Sequence, residues 1–109
     1  MQIAFDKRSL RELCENEDKA RNDLGPKIAE NLKSRLADLN AATSVSDLVA
    51  GQPREFPVKG EGIYAVSLSE GYRIIFCPNH TATPVLEFGE VDWQKVSRVK
   101  ILRIEKDDD

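Results

Sequence analysis

Residues 54–76 have the sequence REFPVKGEGIYAVSLSEGYRIIF, and this stretch predicts most of the fold. Apolar side chains alternate with small, polar or charged ones in much of both halves, at Tyr64, Val66, Leu68 and then at Tyr72, Ile74, Phe76. A period of two is typical of strands that bury one face. Because Glu70-Gly71 between the halves is a turn sequence, we predict a β-hairpin whose second strand carries Arg73 among apolar residues.

Upstream of the hairpin, the pattern predicts a short strand followed by helices. Gln2–Phe5 suits a first strand, and Asp6 is placed to cap a helix after it. The polar run 15–23 gives this helix little to bury, so the helix either ends there or continues exposed. Gly25-Pro26 begins a second helix, since proline suits the first helical turn. Its apolar stripe is Ile28, Leu32, Leu36 and Leu39.

Downstream of the second helix, short elements complete the pattern. Ser44 or Ser46 can cap a single helical turn. Beyond the hairpin, Pro84–Phe88 and Arg98–Ile104 are predicted strands, and the alternation slips at Leu102, which indicates a bulge or burial on both faces. Helices that precede antiparallel strands predict an α+β fold of two layers, with an N-terminal strand and two helices packed on a mainly antiparallel sheet.

Composition limits the class of protein. The 109 residues, 40% hydrophobic and 32% charged, suit one domain spanning residues 1–109, with the acidic tail 105–109 a candidate for disorder. The chain has neither an apolar run of about 18 residues nor a secretory signal, so we expect a cytoplasmic protein with no membrane partner. Cys14 and Cys77 form no metal-binding spacing and are predicted to be reduced, buried thiols.

Five short motifs occur in a fixed order: LKSRLADLNAA at 32–42, SDL at 46–48, VKG at 58–60, YAV at 64–66 and YRIIF at 72–76. In these motifs the chain resembles the toxin subunits of type II toxin-antitoxin systems. The resemblance is to the RelE/ParE superfamily, and within it to the HigB-like "killer protein" branch. It extends from Ile3 to about Ile104, and it implies a RelE-like fold and a cognate antitoxin as partner.

The resemblance also implies a chemistry, which is cleavage of messenger RNA on the ribosome without a metal or a small-molecule cofactor. A ribose 2′-hydroxyl attacks the adjacent phosphate, so the site needs groups for proton transfer and cations for the transition state. Arg73 corresponds to the arginine of a family strand and is the first candidate catalytic residue; Lys59 of the VKG turn is the second. A salt bridge for Arg73 and solvation for Lys59 are the alternatives.

The whole chain has a net charge of −3, so RNA binding depends on basic residues that are clustered in one part of the sequence. The C-terminal strand contributes Arg98, Lys100 and Arg103, and we expect Arg54 to join them on the sheet. The alternative is a solvated basic edge strand, where cations discourage pairing between sheets.

Several positions depart from the HigB-like pattern. Phe56 stands where the family often has a histidine, and Ser67 and Ser69 stand where it has an arginine and an asparagine. The family's aspartate-tyrosine-histidine ending is Lys106-Asp107-Asp108 here. His80 lies in a turn, where a solvent-facing loop residue is the expected role. The usual proton-transfer residues are therefore missing from their places.

Two functional classes stay open. The first is an enzyme, a ribosome-dependent endoribonuclease toxin that an antitoxin silences. The second is a binding protein of the same fold, which inhibits a target such as a DNA topoisomerase or retains only antitoxin pairing and autoregulation. An antitoxin helix or added strand on an exposed face suits both classes.

Overall fold

A computed structural model of the chain describes residues 1–107; Asp108 and Asp109 lie outside the described residues. Three helices and five strands occur in the order β1 (Gln2–Phe5), α1 (Arg8–Glu15), α2 (Glu17–Leu24), α3 (Pro26–Ala41), β2 (Arg54–Glu55), β3 (Tyr64–Ser67), β4 (Tyr72–Pro78) and β5 (Arg98–Lys106). The strands form one sheet in the order β1-β5-β4-β3-β2. Its pairs are antiparallel, except that β1 runs parallel to β5. The predicted α+β class and the hairpin of β3 and β4 are confirmed.

The hydrophobic core lies between α3 and one face of the sheet. Ile28, Leu32 and Leu39 of α3 are at most 2% exposed, and Leu36 of the predicted stripe is half-buried. They belong to one cluster with sheet residues Val66, Ile74, Phe76, Val99 and Ile101. Burying an aliphatic side chain of this size contributes about 1.5–3 kcal/mol, so this layer contact is the main source of stability.

The region predicted as the first helix forms two helices, α1 and α2. The prediction that Asp6 caps the first of them is wrong. Lys7 is the N-cap of α1 and makes no side-chain capping hydrogen bond. Asp6 instead continues the sheet, because its backbone N–H donates to the carbonyl of Ile101 (2.9 Å). Asn16 breaks the helix and restarts it, since its Oδ1 accepts the backbone N–H of Lys19 (3.1 Å). The polar run that follows is thus a helix of its own.

The predicted strand Pro84–Phe88 is wrong. Only an isolated bridge joins Val85 to Val91, and the residues between them form a tight loop. In it, the N–H of Leu86 donates to the carbonyl of Glu90 (2.7 Å), and Phe88 is 92% exposed. The pairing partners of β4 are β3 and β5 rather than this segment, so residues 84–88 lie outside the sheet as part of the connection between β4 and β5.

The slip in the alternation of the last strand is a β-bulge, which is one of the two explanations that the sequence left open. Ile75 pairs with Arg103, whereas the next residue, Phe76, pairs with Ile101, so Leu102 is the extra residue. The strand then continues through Lys106. Residues 105 and 106 of the predicted disordered tail are therefore part of the sheet; the end of that tail, residues 108–109, is not described.

The single turn at Val45–Asp47 is capped by Ser44 rather than by Ser46. The Ser44 side chain accepts the backbone N–H of Asp47, and the Asp47 carboxylate accepts the N–H of Ser44 in return (3.2 Å). This reciprocal capping box fixes the chain where it leaves α3 for the sheet.

Replacing Gly51 with alanine should destabilise the fold strongly. Gly51 has φ +84°, and an added Cβ would lie 2.6 Å from Val66 Cγ1 and 2.8 Å from the carbonyl oxygen of Ser67. We expect Gly51→Ala to lower the free energy of unfolding by about 3 kcal/mol, from backbone strain and overpacking together. Urea denaturation measures the change.

Gly89→Ala is the matched control. Gly89 has φ +89°, but a Cβ there would meet nothing within 4 Å, so it carries the strain without the clash. We expect a loss of about 1 kcal/mol. Equal losses for the two variants would contradict the close approach of Gly51 to β3.

Candidate functional site

The face of the sheet opposite the helices carries the candidate site, and we call it the outer face. Side chains of a strand alternate between faces. In β4, Ile74 and Phe76 belong to the core cluster on the helical side, so Arg73 and Ile75 point to the outer face. The predicted arginine therefore lies on the side of the sheet that the helices leave uncovered.

Two further arginines lie beside Arg73 because of strand pairing. In one row across the sheet, Arg54 pairs with Ala65, Ala65 with Ile75, and Ile75 with Arg103. Ala65 and Ile75 are 0% exposed, yet they lie outside the main core cluster. The outer face thus has a small apolar centre of its own, with an arginine at each end of the row.

Arg73 occupies the neighbouring row and is held on several sides. Its register partners are Ser67 on β3 and Glu105 on β5. The Nε atom lies 3.2 Å from Glu105 Oε1, and Nη1 lies 3.4 Å from Asp107 Oδ2. The guanidinium carbon is 4.2 Å from the centre of the Phe56 ring, a cation–π distance. With a side chain only 14% exposed, Arg73 has a defined orientation.

The other two arginines share partners with Arg73. Arg54 Nη1 donates to Ser67 Oγ (2.9 Å), and its guanidinium carbon lies 5.9 Å from the Phe56 ring centre. Arg103 Nε lies 3.3 Å from Glu105 Oε2, so Glu105 bridges two guanidinium groups. Three cations and two carboxylates leave one net positive charge here. We call this set the arginine cluster: Arg54, Arg73 and Arg103 with Phe56, Glu105 and Asp107.

The remaining predicted site residues lie apart from these contacts. Lys59 is exposed in the loop between β2 and β3. Arg98, at the start of β5, is exposed and pairs with Gln2 of β1. Lys100 lies toward β1 as well, with Nζ 4.0 Å from Asp6 Oδ1. The structure therefore brings together Arg54, Arg73 and Arg103, but not all six predicted residues.

His80 does not simply face solvent, which corrects the sequence-based expectation. Its Nε2 accepts the backbone N–H groups of Ser97 (3.1 Å) and Arg98 (3.3 Å). His80 thus anchors the start of β5. No local pattern indicates this role, because the partners are 17 and 18 residues away.

Replacing His80 should therefore affect stability. His80→Ala leaves two backbone donors without their acceptor, and we expect the free energy of unfolding to fall by about 1 kcal/mol. His80→Gln, whose side-chain carbonyl can accept, should recover part of the loss. Urea denaturation and hydrogen exchange at the Ser97 and Arg98 amides check this. Unchanged exchange at both amides in His80→Ala would count against the anchor.

Burial raises the pKa of one tyrosine and of both cysteines. Tyr64 packs against Trp93 (4.6 Å between ring centres), and burial, followed by the charge of Glu55, raises its pKa. Burial, with Glu15 second, raises the pKa of Cys14 to about 12, and burial also raises the pKa of Cys77. A phenol or thiol with a raised pKa stays protonated at neutral pH, so it does not serve as a general base.

Sequence reasoning missed the link from Arg73 to Glu105 and Asp107. Arg73 and Glu105 are 32 residues apart, and only the register of β4 and β5 makes them neighbours. Phe56 departs from the HigB-like pattern in the sequence, and its ring lies against Arg73 in the structure. The signal that could have found these contacts is the bulge at Leu102, which sets the register.

Two grooves lie in the helical layer, with volumes of about 680 and 700 Å³. The first is lined by residues from Cys14 to Leu36, and the second includes β1 and the end of α3. Neither is lined by a residue of the arginine cluster. Within residues 1–107, no group of three His, Cys, Asp or Glu side chains is arranged to hold a metal ion. None of the described helices is long and apolar enough to cross a membrane.

Comparison with solved structures shows that the chain shares its fold with a toxin of known structure. A YoeB/ParE toxin from Agrobacterium tumefaciens matches with a TM-score of 0.58, covering 98% of this chain and 99% of that chain. Sequence identity is 8%, so the likeness shows a shared fold. No family model matches the chain, and no curated protein matches its sequence.

Proposed function

We propose that this protein is the toxin of a type II toxin-antitoxin system and that it inhibits growth by cleaving messenger RNA on the ribosome. The observation that carries the proposal is the convergence of Arg54, Arg73 and Arg103 on the outer face of a sheet with the fold of a YoeB/ParE toxin. The motifs from 32–42 to 72–76 support the HigB-like branch in particular.

The arginine cluster suits the transition state of this reaction. Attack of a 2′-hydroxyl on phosphorus concentrates negative charge on the phosphate oxygens, and guanidinium groups bind two such oxygens at once. Arg73 is the proposed catalytic residue, because its orientation is fixed by Phe56 and by the pairing of β4 with β5. A fixed cation stabilises developing charge without first reorganising.

Lys59 is the second proposed catalytic residue. It lies on the exposed loop before β3, and its ammonium group carries protons and positive charge toward a leaving oxygen. Since Phe56, Ser67 and Ser69 replace the family's usual residues, the mechanism depends chiefly on charge stabilisation by Arg73 and Lys59. Because Phe56, Ser67 and Ser69 supply no general base, the proton of the attacking 2′-hydroxyl would pass to solvent water.

The proposed partners are messenger RNA on the ribosome and a cognate antitoxin. Arg54, Arg98, Lys100 and Arg103 would contact RNA phosphates along the outer face. The antitoxin would bind as an amphipathic helix in a groove of the helical layer or as a strand added beside β2, which is an edge of the sheet.

A second candidate function is a binding protein with a degenerate catalytic set. It is favoured by the pairing of Arg73 with both Glu105 and Asp107, which neutralises the cation that the enzyme needs. Such a protein would act through antitoxin pairing and autoregulation, or by inhibiting a topoisomerase.

Arg73→Ala tests the enzyme directly. We expect the purified chain to cut a defined messenger RNA at fixed sites on programmed ribosomes, and Arg73→Ala to cut about 100-fold more slowly, since a preorganised donor contributes about that much. Arg73→Lys should fall between them, because lysine keeps the charge but loses the fork.

Arg8→Ala is the matched control for this assay. Arg8 is 92% exposed on α1 and pairs with the nearby Glu12, so its loss removes the same charge without touching the outer face. Thermal unfolding confirms that each variant is folded. No cutting by the folded parent chain would favour the binding protein, and gyrase inhibition would be assayed next.

A further inference from the structure

The C-terminal end of the chain places two carboxylates on the guanidinium groups of the arginine cluster. Glu105 contacts Arg73 with one oxygen (3.2 Å) and Arg103 with the other (3.3 Å). Asp107 Oδ2 lies 3.4 Å from Nη1 of Arg73. Carboxylate oxygens at these nitrogens stand where the oxygens of a bound phosphate would stand, because both anions bind the same guanidinium fork.

We infer that Glu105 and Asp107 occupy the phosphate positions of Arg73 and Arg103, so that the end of this chain competes with RNA for its own arginine cluster. The inference rests on the proposed function and adds a form of regulation to the same site. It predicts that the free chain binds RNA more weakly than its arginines alone would allow.

The fold holds the two carboxylates in place. Glu105 lies within β5 and pairs with Arg73 across the ladder. Just beyond the strand, the backbone N–H of Asp107 donates to the carbonyl of Gly71 (2.8 Å), at the turn that begins β4. These backbone contacts present both carboxylates to the cluster in every folded molecule, so the competition is intramolecular.

The contacts of Asp107 with Arg73 and of Arg103 with Glu105 are accessible enough to be displaced, whereas the Arg73–Glu105 pair is more buried, at 14% and 30% exposed. The Asp107 side chain is 48% exposed, and Arg103 is 49% exposed. Ion pairs this accessible are screened by water and salt. A polyanion such as RNA presents many phosphates at once, and it can therefore replace the two carboxylates by multiple contacts.

Binding of RNA to the full chain tests the inference. The probe is a short, fluorescently labelled, 2′-O-methylated oligoribonucleotide, which lacks the attacking hydroxyl and so reports binding alone. The variant Glu105→Gln with Asp107→Asn keeps the size of both side chains and removes both charges. The matched control is Glu87→Gln with Glu90→Gln, which removes two exposed charges from the loop that follows β4.

We expect the Glu105→Gln, Asp107→Asn variant to bind the probe about tenfold more tightly than the control pair, because the two competing carboxylates are gone. The control pair has the same net charge, so the comparison isolates the local effect. The dependence of log K on log salt should steepen by about 0.7 for each phosphate newly contacted. Binding no tighter than that of the control pair, with thermal unfolding showing a folded variant, would overturn the inference.

Arg73→Ala separates this failure from failure of the proposed function. If Arg73→Ala weakens RNA binding while removal of the carboxylates changes nothing, the cluster binds RNA and only the competition is refuted. If Arg73→Ala has no effect in either background, the cluster is not an RNA site, and both the inference and the proposed function fall.

Discussion

The antiparallel pairing of β4 with β5 is the interaction on which the core and the candidate site both depend. On the helical side, the ladder supplies Ile74, Phe76 and Ile101, which are fully buried against α3. On the outer face, the same ladder sets Arg73 against Glu105. The bulge at Leu102 makes both arrangements possible. The extra residue in β5 lets apolar side chains before and after Leu102 point to the helical side of the sheet.

The electrostatics of the outer face are local, and the net charge of −3 does not describe them. Arg54 and Arg103 end a row whose centre, Ala65 and Ile75, is fully buried. The ion pairs of Asp107 and Arg103 at the rim of this apolar centre are half exposed and are screened by water. With three guanidinium groups and two carboxylates, the cluster keeps one net positive charge on an acidic chain. The chain's own carboxylates therefore matter for its availability.

The helical layer and the arginine cluster are separate surfaces. The grooves near α1, α2 and α3 include no residue of the cluster, so a partner helix bound there would leave the arginines uncovered. A strand added beside β2, in contrast, would lie next to Arg54. The two proposed modes of antitoxin binding therefore differ in a physical consequence: only the second would bring partner side chains to the proposed RNA site.

Local patterns in the sequence determined the hairpin and the helical stripe of α3, because each depends on residues that are neighbours in the chain. The slip in alternation at Leu102 left a bulge and burial on both faces open, and the register of β4 and β5 decided for the bulge. The alternation also placed Arg73 among the apolar residues of a strand, and the resemblance implied the fold. Tertiary structure alone decided that Pro84–Phe88 is a loop, that His80 anchors β5, and that Glu105 and Asp107 neutralise Arg73. Those outcomes depend on strand order and register, which are set by how distant segments pack together.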